Sequence, residues 1–428
     1  MSIQLILIWD YGEVLDRYIL HCDMNNFYAS VECMLDKSLR DKPVAVCGEV
    51  GDRHGIVLAK NYLAKAFDIK VGETTWQAKQ KCKDLVIVSP PKFHEYEKYS
   101  RLAKQVYLRY TDRVEPYGMD ECWLDISNNC KDFDDAKNIA DEIRKAITFE
   151  LGLTVSVGVS FNKVFAKLGS DMKKPDATTV ITKDNFRIKV WPLPASDLLG
   201  VGRATKKVFD KYYINTIGDI AKENESRLEY LCGKNGVALK KFANGEDQSE
   251  VMLYDDLYEA KSIGHGITTT KDLEDNDEVW KLMLSLSKDI GTKLRKSNKR
   301  AKGISIYIRD SLLKIKQWQR VRTNSIQSGY EIAKTAYELF LEKYDWENPI
   351  RTVTIQVIKL VDENIYEQDN LFNNPQLTKK IEKIEKCNEI LDKRFGTGTV
   401  INAVLLQEKL LPKVLPNTTM PTGIPKQK

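Results

Sequence analysis

The segment Cys22-Asp23-Met24-Asn25-Asn26-Phe27-Tyr28-Ala29-Ser30-Val31-Glu32 joins a predicted strand to a predicted helix. The apolar run Tyr18–Cys22 is typical of a buried strand that delivers Asp23 at its end, and the helical pattern begins near Phe27. The backbone amides of Asn26 and Phe27 would then lie beside Asp23, where the start of a helix can bind a phosphate. Taken by itself, the segment is explained at least as well by a capped helix with core aromatic side chains.

A second acidic pair, Asp120-Glu121, lies between Tyr117-Gly118-Met119 and the apolar run Cys122–Ile126. This pattern predicts a hairpin tip that carries two acids into a strand, although a solvated turn is the alternative. Acids embedded in strands are costly to bury unless a cation or hydrogen bonds compensate them. Two aspartates and one glutamate are hard oxygen ligands, which suit Mg²⁺ or Mn²⁺ rather than zinc. The three acids therefore predict metal-assisted phosphoryl chemistry.

The composition indicates a multi-domain globular protein without a membrane segment. The chain has 428 residues, of which 42% are hydrophobic and 30% are charged, and its net charge is +5. The eight cysteines form no CxxC pair, which favours reduced thiols and a cytoplasmic protein. The apolar run Ile3–Trp9 is too short to span a bilayer, and we interpret residues 1–16 as an extension before the first strand.

Strand and helix patterns alternate irregularly through the first half, which predicts an α/β or α+β arrangement rather than an all-parallel repeat. Pro192 and Pro194 mark a change to short helices that glycines interrupt, and a polar linker follows. A compact βαββαβ module comes next, and then one amphipathic helix, Gln376–Arg394, and a Pro/Thr-rich tail that we expect to be disordered. Strands are predicted at Tyr18–Cys22, Val44–Cys47, Ile56–Ala59, Val86–Ser89, Cys122–Ile126, Thr154–Ser160, Thr178–Ile181, Lys261–Thr270, Gly303–Arg309, Gln317–Ser325 and Thr352–Lys359. Helices are predicted at Phe27–Leu35, Tyr62–Phe67, Tyr96–Tyr110, Asp134–Glu150, Lys163–Met172, Asp277–Ser297 and Gln327–Tyr344.

Positive charge is concentrated in one part of the βαββαβ module. From Thr292 to Arg322 there are eleven lysine or arginine residues and one acid, Asp310. Much of this stretch alternates like a strand, so one face of a sheet would carry a dense positive field.

Five ordered segments resemble the Y-family of lesion-bypass DNA polymerases, and most closely the DinB type. They are Asp23–Glu32, Asn61–Lys65, Gly118–Asp125, Val157–Lys167 and Asp171–Pro175, and the match runs from about Tyr18 to at least Lys359. The resemblance implies an α+β, multi-domain right-hand polymerase. Its expected parts are a ferredoxin-like palm (17–26 and 93–182), small fingers (27–92), a helical thumb with a helix-hairpin-helix (183–248), a linker (249–259), a βαββαβ little finger (260–360) and a tail (361–428).

The resemblance also implies the reaction, which is template-directed and error-prone DNA synthesis across damaged templates. Asp23, Asp120 and Glu121 would be the catalytic acids and would hold two Mg²⁺ ions, with Mn²⁺ as the alternative ion. The backbone carbonyl of Met24 would be a further ligand. Two such ions can stabilise both the attacking 3′-oxygen of the primer and the departing pyrophosphate. Glu121 would then be a ligand near the nucleophile rather than necessarily its general base.

Four residues match family positions that contact the incoming nucleotide. Tyr28 falls at the steric gate, where an aromatic ring packs under the sugar and excludes a 2′-hydroxyl; a core tyrosine is the alternative. Tyr62, Lys65 and Lys174 match positions that contact the triphosphate. Many relatives carry arginine where Lys65 stands, and lysine supplies charge without a bidentate fork, so nucleotide affinity or geometry can differ here.

Two regions are expected to contact primer–template DNA. The segment Leu199–Thr205 is typical of a helix-hairpin-helix, in which Gly200, Gly202 and Arg203 would lie against phosphates, although an ordinary turn between helices is the alternative. The basic module resembles the little finger that grips duplex DNA, with Arg320 and Arg322 on its basic strand. Lysines on a solvated helix are the alternative for Lys293–Lys302.

The pattern Gln368-Asp369-Asn370-Leu371-Phe372 resembles a peptide that binds the bacterial sliding clamp. Gln368, Leu371 and Phe372 would be its contact residues, and the last two would enter an apolar pocket. We therefore expect DNA, deoxynucleoside triphosphates and a sliding clamp as partners of a monomeric protein that does not bind membranes.

Two other functions account for part of the pattern. A nucleotidyl-cyclase-like enzyme also uses paired acids on a palm-like sheet, but it needs neither a helix-hairpin-helix nor a basic module. A catalytically altered, DNA-binding or regulatory relative would share the fold, but the presence of all three acids argues against it.

Overall fold

The computed structural model describes residues 16–48, 55–256, 260–365, 375–396 and 398–405. The chain forms two compact units that meet in sequence close to residue 257, which lies within the predicted linker. No helix in these ranges is long and apolar enough to cross a bilayer.

The first unit combines a five-stranded sheet, a three-stranded sheet and short helices. Its strands are β1 (Ile19–Met24), β2 (Val44–Cys47), β3 (Val57–Lys60), β4 (Val86–Val88), β5 (Val114–Pro116), β6 (Glu121–Asp125), β7 (Val155–Ser160) and β8 (Thr178–Ile181). Its helices are α1 (Phe27–Leu35), α2 (Tyr62–Lys65), α3 (Thr75–Lys81), α4 (Phe93–Tyr107), α5 (Phe133–Leu151), α6 (Lys163–Met172), α7 (Phe186–Lys189), α8 (Arg203–Lys211), α9 (Ile217–Lys222), α10 (Glu225–Cys232) and α11 (Lys234–Ala243).

The five-stranded sheet has the order β5-β6-β1-β7-β8, with β1 at its centre. Antiparallel pairing of β1 with β6 places Asp23 directly opposite Glu121. Alternation along β1 sends Leu20 and Cys22 into the core shared with α4 and α5, whereas Ile19 packs with Ala166 of α6 on the other face. Asp23 shares the strand parity of Ile19, and its cross-strand partner Glu121 contacts Lys167 of α6, so these two acids lie on the face that α6 covers.

Close contact between α6 and β7 depends on a glycine. A Cβ atom built on Gly158 would lie 1.9 Å from the Ala166 carbonyl oxygen. Any larger residue would push α6 away from the sheet, together with the polar side chains that α6 carries toward the acids.

A three-stranded sheet, in the order β3-β2-β4, lies within the predicted fingers range 27–92. It packs around a small apolar core that includes Val57, Ala64 and Leu85. Helices α8 to α11 follow the five-stranded sheet and surround a third core that contains Phe209, Leu228 and Leu239.

The second unit is a four-stranded sheet covered on one face by helices. Its strand order is β11-β10-β12-β9. Ile304, Ile306, Val353 and Ile355 point toward the helices and form the core. The elements are β9 (Ser262–Leu273), α12 (Asn276–Lys296), β10 (Lys299–Asp310), β11 (Ile315–Ile326), α13 (Gly329–Lys343), β12 (Ile350–Asp362) and α14 (Pro375–Phe395).

The α+β expectation is confirmed, and the differences from the predicted elements are local. The structure adds α3 and the short strand β5, which the sequence patterns do not predict. Helix α3 is only seven residues long and has an exposed apolar side chain, Trp76, so its pattern is weakly amphipathic. Strands β10, β11 and β12 extend beyond their predicted ends because the pairing continues through residues 299–302 and 360–362.

Candidate active site

The three acids of the sequence prediction lie together at neighbouring strand ends. Asp23 and Glu121 are cross-strand partners, and the Met24 amide donates to the Asp120 carbonyl at 3.0 Å. Gly118 adopts φ +126°, a conformation that favours glycine, at the start of the turn that carries the acidic pair. Strand register and a tight turn therefore bring the acids into one cluster.

Burial and mutual repulsion disfavour ionisation of two of these acids. Burial raises the pKa of Asp120 to about 6, and the charge of Asp23 adds to the effect. Burial likewise raises the pKa of Glu121 to about 7, although Lys167 acts in the opposite direction. A cluster of this kind has a high affinity for positive charge.

Two lysines are the counter-ions of the cluster in this structure. Lys174 Nζ lies 2.7 Å from Asp23 Oδ2 and 2.8 Å from Asp171. Burial acts to lower the pKa of Lys174, but its ion pairs with Asp23 and Asp171 outweigh burial and raise it. Lys167 Nζ lies 2.8 and 2.9 Å from the two Glu121 carboxylate oxygens.

Lys167 is a site residue that the sequence prediction did not identify. It lies in α6, in the segment Val157–Lys167 that carries part of the family resemblance. Asp171 follows it by four residues and therefore lies on the same face of α6, and this spacing was the available signal; Lys174 lies just beyond the end of the helix.

The donor set fits divalent cations that prefer oxygen. Three carboxylates and the backbone carbonyl of Met24 are hard ligands, and Mg²⁺ takes few protein ligands because water and phosphates complete its coordination. Within the described ranges, no three carboxylate, imidazole or thiol side chains converge as a ready-made metal cage. Lys174 and Lys167 pair with Asp23 and Glu121, which are two of the carboxylates that a cation would use.

Tyr28 is half-buried beside the acids and is held by aromatic neighbours. Its ring stacks on Tyr96 with centroids 4.4 Å apart and an interplanar angle of 13°, and Phe93 packs edge-on at 6.0 Å. The Tyr28 hydroxyl donates to Met119 Sδ at 3.2 Å. Burial, with a contribution from Asp120, raises the pKa of Tyr28 to about 12.

The other predicted nucleotide residues lie at the start of α1 and on α2. Asn26 is the N-cap of α1 at φ +48° and makes no side-chain capping bond, whereas the Phe27 side chain is buried in the core. Tyr62 and Lys65 share the short helix α2, with Lys65 Nζ 5.7 Å from the Tyr62 ring centre. Burial raises the pKa of Tyr62, and the charges of Lys174 and Asp23 act on it, which places Tyr62 near the acids.

The predicted helix-hairpin-helix residues lie on an exposed turn. Gly200 adopts φ +94°, and Gly202 is the N-cap of α8 without a side-chain capping bond. Arg203 is the first residue of α8 and is exposed. The turn therefore presents backbone amides and one cation to solvent.

Arg320 and Arg322 do not lie on the open face of the second unit's sheet. Arg320 is opposite the buried Ile304 and pairs with Glu342 of α13, and Arg322 donates to Thr335 of the same helix at 2.6 Å. The alternate residues Gln317, Gln319 and Val321 are exposed on the open face. The Gln368–Phe372 pattern lies outside the described residues.

Comparison with known families adds to this geometry. The impB/mucB/samB family matches residues 22–171, and the impB/mucB/samB family C-terminal domain matches residues 260–371. Among solved structures, a Y-family DNA polymerase chimera matches with a TM-score of 0.73 and 24% identity, over 81% of this chain and 99% of that chain. The fold and both family matches define a Y-family polymerase of the translesion type.

Relatives that match over nearly their full length identify the branch of the family to which the chain belongs. The chain is 47% identical to the DNA polymerase IV of Acetivibrio thermocellus over 93% of its own length and 100% of that protein. It is 35% identical to the DNA polymerase IV 1 of Bacillus subtilis, over 92% of this chain and 94% of that protein. The chain belongs to the DNA polymerase IV, or DinB-type, branch of the impB/mucB/samB family.

Proposed function

We propose that this translesion-type DNA polymerase adds deoxynucleotides to a primer 3′-hydroxyl with two divalent cations held by Asp23, Asp120, Glu121 and the Met24 carbonyl. The observation that supports this most directly is the acid cluster, in which Asp23 faces Glu121 and burial raises the pKa of Asp120 to about 6. When bound, Mg²⁺ ions would supply charge stabilisation for the attacking and leaving oxygens. Mn²⁺ has the same oxygen preference and is the alternative ion.

The lysines and Tyr62 are proposed to orient the triphosphate. Lys174 already pairs with one carboxylate of the cluster and can exchange it for a phosphate oxygen. Lys65 carries a compact charge on α2 beside Tyr62, and the uncapped first turn of α1, at Asn26 and Phe27, offers amides to the same anion. These contacts would hold the α-phosphate in line with the primer, which is the main contribution that a protein makes to phosphoryl transfer.

Tyr28 is proposed as the sugar gate. Its ring is fixed between the Tyr96 stack and the Met119 sulfur, so it cannot rotate away to admit a 2′-hydroxyl. A ring held on both sides excludes the larger sugar by steric contact and not by a charged group.

DNA contact is proposed for the exposed turn of Gly200, Gly202 and Arg203 and for the second unit. In that unit the helix-covered positions of Arg320 and Arg322 favour a role in packing. The open face offers small and polar residues, such as Gly264, Gln319 and Gln356, and the exposed Arg309 near one strand end. A flat face of this kind lets backbone and amide groups approach phosphates.

We also propose that Gln368, Leu371 and Phe372 bind a bacterial sliding clamp. The support is the sequence pattern and its place after β12, the last strand of the sheet. Deleting residues 368–372 should abolish stimulation by the clamp and leave clamp-free synthesis intact; equal loss of both would contradict the proposal. A cytoplasmic location is the accompanying proposal, supported by eight free cysteines, and we also propose that the protein acts as a monomer.

The decisive experiment is primer extension with Mg²⁺, comparing the wild type with Asp120→Ala. We expect the substitution to reduce kcat by about 10³-fold or more, since it removes a ligand used in the transition state. Lys98→Met, on the exposed side of α4, is the matched control and should keep wild-type activity. A cyclic product formed without primer would favour the cyclase alternative, and DNA binding without extension would favour the regulatory one.

A further inference from the structure

A line of polar side chains runs along the buried face of α4. Tyr96, Ser100 and Lys104 are spaced four residues apart, so they lie one above the other. Their exposed fractions are 0%, 2% and 1%, in positions where a helix of this kind normally presents apolar residues. Burying a lysine ammonium is expensive, and burial lowers the pKa of Lys104.

The contacts of this line lead to the turn that carries the acidic pair. Lys104 Nζ donates to Ser100 Oγ at 2.7 Å, and Ser100 Oγ donates to the Met119 carbonyl oxygen. An ammonium can only donate, so the Ser100 hydroxyl must accept from Lys104, and its single proton is left for Met119. Chains of this kind strengthen each bond through polarisation.

Met119 connects this chain to both halves of the site. Its carbonyl directly precedes Asp120 along the backbone, and its sulfur accepts from the Tyr28 hydroxyl. Backbone bonds from Met24 to Asp120 and from Tyr117 to Glu121 hold the rest of the turn without Ser100. Loss of the Ser100 bond would therefore loosen Met119 while leaving the hairpin paired.

We infer that Ser100 and Lys104 are positioning residues that hold the Met119–Asp120 turn, and through it the acid cluster and the Tyr28 ring, in register for the reaction. The inference rests on the proposed roles of Asp120 and Tyr28. Neither residue touches substrate; both act through Met119. A purely structural role would affect stability alone, whereas this role links turnover and sugar selection.

The test uses Ser100→Ala, Lys104→Met and the double variant in the full-length enzyme. We expect each single substitution to lower kcat by about tenfold, the order of one charge-assisted hydrogen bond, with little change in KM for the deoxynucleotide. The preference for deoxynucleotides over ribonucleotides should fall by about threefold, because the Tyr28 contact loosens. The double variant should be no worse than either single one, since both remove the same chain.

Controls separate this inference from the function on which it rests. Lys98→Met removes an exposed lysine of α4 and should change nothing, and Ser100→Thr keeps the hydroxyl and should restore most of the activity. If Asp120→Ala retains activity, the proposed function fails. If Asp120→Ala is inactive but folded Ser100→Ala matches the wild type in kcat and sugar preference, the inference alone fails. Fully additive effects of Ser100→Ala and Lys104→Met would also overturn it.

Discussion

The buried carboxylates of the five-stranded sheet and of the second unit have pKa values that are shifted in opposite directions. In the first, Asp120 and Glu121 are crowded beside Asp23, and burial raises their pKa values to about 6 and about 7. In the second, Asp289 lies 2.7 Å from both His265 Nδ1 and Lys293 Nζ. Burial acts to raise the pKa of Asp289, but its contacts with His265 and Lys293 outweigh burial and lower the pKa.

Under the proposed function the acid cluster has to receive cations, whereas the second unit has already balanced the charge of its buried carboxylate. Buried acids that their counter-ions compensate only in part reduce stability and attract cations, and such groups are common at functional sites. In the second unit, arginines of the basic stretch are paired within the fold: Arg295 is only 7% exposed and pairs with Glu385 and Glu389 of α14, and Arg300 pairs with Glu382. Much of the predicted positive field is therefore neutralised within the unit.

The largest expected effect comes from making the same substitution in both regions. Asp120→Asn should reduce the rate of DNA synthesis by about 10³-fold or more. It should also raise the melting temperature measured without metal by a few degrees, because it removes a poorly compensated charge. Asp289→Asn should keep activity and lower the stability of the second unit, because the partly buried Lys293 ammonium loses its carboxylate partner and His265 loses its contact with that carboxylate. Primer extension, calorimetry in EDTA and amide exchange in each unit measure these outcomes. A lower melting temperature for Asp120→Asn would contradict the comparison.

A pH profile in EDTA sharpens the same contrast. Asp120 and Glu121 bind protons more tightly in the folded chain than in the unfolded one, so their contribution to stability is full below about pH 4 and is lost as the pH rises to about 7. The free energy of unfolding of the first unit should therefore decrease over that range. Saturating Mg²⁺ at pH 7 should restore stability, and Asp120→Asn should flatten the profile. An unchanged slope in that variant would argue against the assignment.

Removing the Glu385 carboxylate, which balances Arg295 in the second unit, should have an effect of intermediate size. Glu385 accepts from the Ser328 hydroxyl and from the Gly329 and Tyr330 amides, and it pairs with Arg295 at 2.7 Å. Glu385→Gln should destabilise this contact by about 1–3 kcal/mol, because the amide group cannot satisfy the same donors. Faster hydrogen exchange at Gly329 and Tyr330 is the readout. Glu347→Gln, at an exposed ion pair, is the matched control and should leave that exchange unchanged.

The smallest effect concerns the two faces of the second sheet. Arg309 is exposed on the open face, whereas Arg320 pairs with Glu342 under α13. Arg309→Ala should weaken DNA binding by about threefold and reduce the slope of log affinity against log salt concentration by about one. Arg320→Ala should change the affinity by a smaller factor. Fluorescence anisotropy at several salt concentrations measures both. A larger loss of DNA affinity in Arg320→Ala than in Arg309→Ala would indicate that DNA contacts the helix-covered side of the sheet.

Sequence patterns were most successful where one element determines the structure by itself. Helices α1 and α6 begin and end where the periodicity predicts, since each has an apolar face and a clear start. Patterns did not identify Ser100 or Lys104, because a polar residue on a buried helix face has no meaning until its partner is known. The sequence could have predicted which face of the sheet Arg320 occupies. Arg320 lies two residues after Trp318 on the same strand, and Trp318 packs against the core.

The sequence by itself determined the class of protein and the order of most elements, and it contained the three acids and the tyrosine that we propose as metal ligands and steric gate. These follow from local motifs, whose residue types are required by the chemistry. Only the tertiary structure decided which charged side chains form ion pairs within the fold and which are left to contact a ligand. Strand register set Asp23 opposite Glu121, and docking of α13 and α14 turned Arg320 and Arg295 inward. The physical reason is that the energy of a charge depends on burial and on its nearest partners, which come from distant parts of the chain.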